Sequence, residues 1–154
     1  LYNLQNQDLT NVVLCTVDVK SLYTSIPHNL GLEALESILL KNNCDQDLGI
    51  FLLTLMEFTL THSYFKWQDR FYLQLTGTSM GNCAAPSYAN SFMIHYEEQH
   101  IFNKPSWQEH LVCYWRFIDD ILLIWRGKIT QKQSSLFAIA QNEANYFIRF
   151  QLQP

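Results

Sequence analysis

Apolar residues recur along this chain with two alternating periods, and the switches between them outline its elements. Asn11 to Asp18 reads NVVLCTVD, a short β-branched run closed by a carboxylate, which predicts a strand. Ser25-Ile26-Pro27 predicts a turn, with Pro27 suited to the entry of a helix. Leu32, Leu35, Ile38 and Leu39 follow helical spacing, closed by Asn42-Asn43, and Leu48 to Leu60 predicts a second, very apolar helix. Tyr64 to Leu75 reads as a hairpin, with SYFKW and RFYLQL joined by Gln68-Asp69. A glycine-bearing loop then gives way to a helix from about Pro86 to Gln99. Leu111 to Ile118 and Ile121 to Trp125 predict two apolar strands flanking Asp119-Asp120. Gln133 to Tyr146 predicts a last helix and Phe147 to Leu152 a last strand.

That order predicts an α+β fold, an antiparallel sheet with helices packed on one face. The chain has 154 residues, 48% apolar and 16% charged, as expected of one folded domain rather than a disordered segment. It starts at Leu1 rather than Met and stops at Pro154, just after the last predicted strand, so we expect an excerpt of a longer protein. No run of about 18 apolar residues occurs, so no membrane span is expected. The opening LYNLQNQDLT lacks the basic start and apolar middle of a secretion signal, which points to an intracellular protein, nuclear or cytoplasmic. Cys15, Cys44, Cys83 and Cys113 are scattered without a CxxC pair, which argues against zinc and fits a reducing compartment. His95 and His100, five apart, fall on different faces of a helix and read as ordinary packing residues. The net charge of −4 opposes a nucleic-acid partner, unless an acidic metal site accounts for it and flanking domains supply the basic clamp.

Asp119-Asp120 carries the most information. Two charges between LVCYWRFI and ILLIW are costly unless compensated. A hairpin turn accounts for them equally well, since Asp is a common turn residue. Asp18 shifts the balance, because it too ends an apolar strand before a turn. If the two strands pair, three carboxylates converge at one sheet edge. Two like charges ~4 Å apart repel by about 4 kcal/mol at an effective dielectric near 20. A hard divalent cation is the natural partner, and magnesium favours a few carboxylates plus substrate phosphates. Two such ions can activate an attacking hydroxyl and stabilise the leaving oxygen of an in-line phosphoryl transfer.

VDVKSLYTSIP (Val17 to Pro27), GTSMGNCAAPSYANSFM (Gly77 to Met93) and RFIDDILLIW (Arg116 to Trp125) resemble, in order and spacing, three motifs of reverse transcriptases, those of Penelope-like retroelements most closely. The resemblance runs from about Val12 to Phe150. It implies that residues 1–154 are a polymerase palm without the N-terminal part of the fingers or the thumb, inactive in isolation. It implies an RNA-directed DNA polymerase that uses an RNA template, a DNA primer, deoxynucleoside triphosphates and two Mg2+ ions, with Mn2+ as a substitute. Asp18, Asp119 and Asp120 match the catalytic metal ligands, and Val19 matches the position whose carbonyl completes a metal shell. Lys20, Ser21 and Leu22 match the turn whose backbone approaches the triphosphate. Tyr23 matches the steric gate that excludes a 2′-hydroxyl, or is otherwise a half-buried packing residue. Gly77 to Gly81 match the loop that approaches nucleotide and template. Ala84, Ala85, Ala89 and Ser91 on the following helix need only packing to explain them.

The chain departs from the family in places. Phe117 stands where tyrosine is common and Gly77 where retroviral relatives often carry glutamine; no lysine after the third motif matches the family's, and Arg149 is a candidate proton donor or phosphate contact, equally suited to a surface ion pair. Three other readings stay open: a non-catalytic nucleic-acid-binding remnant that stacks bases on Trp67, Tyr72, Trp115 or Trp125, residues equally suited to a core; a structural or protein-interaction domain; and an RNA-templated RNA polymerase or another palm-type nucleotidyltransferase, the former opposed by Tyr23.

Overall fold

The computed structural model describes residues 8–127 and 149–153, which fall into two compact units. The first holds 8–20, 98–127 and 149–153, and the second holds 21–97. In chain order the elements are β1 (Val12–Lys20), α1 (Leu22–Ser25), α2 (His28–Lys41), α3 (Gln46–Thr61), β2 (Tyr64–Trp67) and β3 (Arg70–Leu73). Then come α4 (Ala85–Glu97), a π-helical turn (Glu98–Phe102), α5 (Pro105–Gln108), β4 (Leu111–Phe117), β5 (Asp120–Arg126) and β6 (Arg149–Gln153). The predicted helix Gln133–Tyr146 lies outside the described residues.

The first unit is built on a four-stranded sheet in the order β4-β5-β1-β6, antiparallel at every pairing. Period-two burial sets its register. Cys15, Val17 and Val19 of β1 lie directly opposite or diagonal to Ile121, Leu123 and Trp125 of β5, and all six are 6% exposed or less. β1 runs two residues past the predicted end at Asp18, because Val19 is buried and its backbone pairs with β6. Helical pieces cover this same face: Phe102 meets Tyr114 edge-on at 5.3 Å, and Trp107 of α5 meets Trp125 edge-on at 5.5 Å. A bulge between Leu111 and Cys113 shifts the register of β4 at its start. The other face keeps Leu14 and Asp120 exposed.

The second unit packs α2 against both α3 and α4. Pro27 takes the N-cap of α2, as expected of a residue with fixed φ and no backbone N–H to lose. Asn43, at φ 53°, ends the helix in the left-handed region. Asp45 caps α3 by accepting from the N–H groups of Asp47 and Leu48. Despite its apolar sequence, α3 fully buries only Leu60, while Ile50, Phe51 and Phe58 stay exposed. β2 and β3 form a separate two-stranded ribbon, as the hairpin pattern predicts. No helix among the described residues is long and apolar enough to cross a membrane. All four cysteines are free thiols.

The α2–α4 contact is closed by a glycine. Gly31 faces the phenol of Tyr88, which is fully buried and bonds the carbonyl of Pro27 at 3.4 Å. A Cβ at position 31 would collide with the Tyr88 ring end. In an open helix, replacing glycine by alanine gains up to about 1 kcal/mol. Here the collision reverses that sign, because overpacking a closed core costs about 1–3 kcal/mol. Gly31→Ala is therefore expected to lower the denaturation midpoint, and Gly31→Ala combined with Tyr88→Phe, which removes the colliding oxygen, to recover part of the loss.

Candidate active site

The carboxylates belong to the first unit, and the pairing of β1 with β5 fixes them. Asp18 lies directly opposite Asp120. Val17 and Val19 are buried at 2% and 1%, so Asp18 between them projects from the other face of the strand. Ile121 is buried at 2%, so Asp120 projects from that same open face. The N–H of Val19 donates to the carbonyl of Asp119 at 2.9 Å. Narrow and wide pairs alternate in an antiparallel ladder, so this bond makes Asp18–Asp120 a non-hydrogen-bonded pair, with Cα atoms about 4.5 Å apart and side chains close. Asp18 is half-buried and Asp120 exposed.

Asp119 takes a different place. β4 ends at Phe117 and β5 begins at Asp120, which leaves Ile118-Asp119 as the two-residue connection. Both readings of the acidic dipeptide therefore hold, one residue each: Asp119 is in the turn, and Asp120 starts the strand. Among the described residues no group of three or more His, Cys, Asp or Glu is gathered closely enough to hold a metal ion, so the structure brings Asp18 and Asp120 together without gathering Asp119 into a triad. The pair still fits a hard cation, since it offers carboxylate oxygens alone, and magnesium is commonly held by one or two carboxylates with substrate phosphates completing its shell.

The turn itself is strained. Ile118 has φ 56°, in the left-handed region that a β-branched residue rarely enters, at a cost of about 1–3 kcal/mol. Two bonds hold it: the Arg116 guanidinium donates to the carbonyl of Ile118 at 3.1 Å, and Val19 binds Asp119 from the neighbouring strand. Arg116 and Ile118 were not singled out by sequence. Arg116 sits inside the third motif, but nothing in the pattern marks its bond to a carbonyl two residues on. Phe117, opposite Asp120, is 76% exposed. Val19 is buried, so only its backbone is available to a ligand, whereas Lys20 is exposed and in register with Arg149.

The remaining predicted residues belong to the second unit. Ser21 adopts φ 53° and ψ 37°, and its carbonyl accepts from the N–H groups of Thr24 and Ser25. Leu22 is buried, so it too offers only backbone, whereas Tyr23 is half-exposed. Gly77, at φ 69°, lies so close to Tyr23 and Thr24 that a Cβ would strike their backbone. Its N–H bonds Ile26 at 2.9 Å, and the N–H of Thr78 bonds the carbonyl of Tyr23 at 2.7 Å. His28 Nε2 lies 2.8 Å from the carbonyl of Gly77; a carbonyl only accepts, so that nitrogen carries the proton. The close approach that glycine permits at position 77 is thus to the chain itself. Gly81 is exposed, with open space around it.

No protein-family model and no curated protein matches the chain. Its fold is similar to that of a solved apo telomerase from Candida tropicalis, truncated from the C-terminal domain, with a TM-score of 0.63 at 14% identity. The match covers 97% of this chain and 32% of that one, so the chain spans about a third of its neighbour's length. The α+β architecture is palm-like, as the sequence predicts.

Two outcomes follow from this geometry. Like charges directly opposite one another destabilise a strand pair by about 0.2–1 kcal/mol, so Asp120→Asn is expected to raise the urea midpoint in metal-free buffer by a corresponding amount. Gly77→Ala, forced into a strained conformation against the chain, is expected to lower the thermal midpoint clearly, whereas Gly81→Ala leaves it within a degree or so.

Proposed function

We propose that this chain is the palm of an RNA-directed DNA polymerase, which adds deoxynucleotides to the 3′-hydroxyl of a DNA primer on an RNA template. The observation that carries the reading is the register that sets Asp18 opposite Asp120 on the open face of the sheet. The likeness in fold to telomerase, a reverse-transcriptase-related polymerase, supports it, and so do the three ordered motifs. The likeness of the motifs to those of Penelope-like retroelements supports that family for the parent protein.

In this reading Asp18 and Asp120, with Asp119 from the turn and the backbone of Val19, hold two magnesium ions, for which manganese can substitute. Such ions, when bound, lower the proton affinity of an attacking hydroxyl and neutralise charge on the transferring phosphate. The chain's own contribution is positioning, which is most of what phosphoryl transfer asks of a protein. The backbone of Lys20, Ser21 and Leu22 receives the triphosphate, and a left-handed residue such as Ser21 turns successive N–H groups toward one side. The Tyr23 ring excludes a 2′-hydroxyl, Gly77 braces the loop against the backbone of Tyr23 and Thr24, and the exposed Gly81 approaches nucleotide and template.

The second reading is a nucleic-acid-binding remnant without metal-dependent chemistry. Two measurements separate the readings. Mn2+ titrated into the chain and followed by electron paramagnetic resonance should bind, and Asp18→Asn should weaken that binding at least several-fold. In the full-length parent, primer extension on an RNA template should require Mg2+ and fall by orders of magnitude in Asp119→Asn. Equal extension by the altered and unaltered proteins would sink the catalytic assignment.

A further inference from the structure

The β2–β3 ribbon shows its side chains to solvent on both faces. Its turn, Gln68-Asp69, has both residues at positive φ (47° and 60°), the conformation that suits a two-residue hairpin. Direct pairing of Phe65 with Tyr72 and of Trp67 with Arg70 puts these four residues on one face. Phe65 and Tyr72 stack with centroids 5.5 Å apart and planes 18° apart, and Trp67 lies 6.3 Å from Tyr72. Their exposures are 52% for Phe65, 60% for Trp67 and 36% for Tyr72.

A two-stranded ribbon is marginal by itself, and a cross-strand aromatic pair helps to hold it. That accounts for Phe65 with Tyr72. It does not account for Trp67, mostly exposed beside a cation. Charge points the same way. Residues 21–97 contain seven Asp and Glu against three Lys and Arg, yet two of those three cations, Lys66 and Arg70, sit on this ribbon. Lys66 is tied to Asp69 at 3.3 Å on the far side of the turn, which leaves Arg70 as the positive group of the aromatic face. Rings that present π-faces, next to a cation able to meet a phosphate, are the arrangement that takes up unpaired nucleotides without regard to sequence.

We propose that this face, Phe65, Trp67, Arg70 and Tyr72, is a landing surface for an unpaired RNA strand. The choice of RNA rests on the RNA-templated reading above; the stacking surface itself does not. A purely apolar protein partner would be better served by the bare side of α3, which carries Ile50, Phe51 and Phe58 and no aromatic–cation pair.

The test uses the 154-residue chain and a fluorescein-labelled unstructured RNA 12-mer, read by anisotropy at two salt concentrations, with a DNA 12-mer of the same sequence alongside. RNA should bind at least as tightly as DNA. Trp67→Leu should weaken binding about fivefold or more, and Trp67→Phe, which keeps a π-face, should retain most of it. Arg70→Gln leaves every aromatic contact in place, so it decides the matter even if Trp67→Leu disturbs the ribbon. It should weaken binding and flatten its dependence on salt. No binding by the unaltered chain, tighter binding of DNA, or unchanged affinity in Arg70→Gln would each overturn the proposal. Normal RNA binding by a chain whose parent protein fails to extend primers would remove the polymerase reading and leave this surface standing.

Discussion

The pairing of β1 with β5 is the constraint on which the rest of the first unit depends. Side chains alternate strictly between faces in a strand, so the register that buries Val17, Val19, Ile121 and Leu123 also fixes which face receives Asp18 and Asp120. The energies are unequal. Burying one such aliphatic side chain is worth about 1.5–3 kcal/mol, whereas like charges opposite each other cost about 0.2–1 kcal/mol. A slip of one residue would relieve the acids and expose several core side chains at once. The core therefore wins, and it holds the two carboxylates together although they repel.

The same economy governs the connection between β4 and β5. A glycine or asparagine would enter the left-handed region at little cost, yet Ile118 stands there. The strain persists because Arg116 and the backbone of Val19 hold the turn from two directions. Asp119 thus occupies a position set by a neighbouring strand as well as by its own. Backbone outliers of this kind concentrate where geometry serves chemistry.

Much of this was legible in the sequence. NVVLCTVD and ILLIW each carry a burial pattern strong enough to announce a strand, and SYFKW-QD-RFYLQL a pattern and turn strong enough to announce a ribbon. The acids stood out because they interrupt apolar runs. Register was not legible: periodicity tells which face a residue takes but not which residue lies opposite, so the pairing of Asp18 with Asp120 rather than with Asp119 is visible only in the folded sheet. The exposure of α3 was hidden for a related reason, since an apolar helix sequence does not say how much neighbouring surface exists to cover it. The short α5 escaped because four residues are too few to show a period. The motif around Gly77 suggests room for a ligand, whereas the contact this glycine makes is with the chain itself, the backbone of Tyr23 and Thr24.

That contact divides the work of Tyr23 between its two halves. The carbonyl anchors Thr78 and is indifferent to the side chain attached, whereas the ring takes no part in the bond. Evolution, or an engineer, can thus exchange the aromatic group for a smaller one without cutting the loop's mooring. Loop architecture therefore rests on the backbone of residue 23, and its side chain is free to change separately.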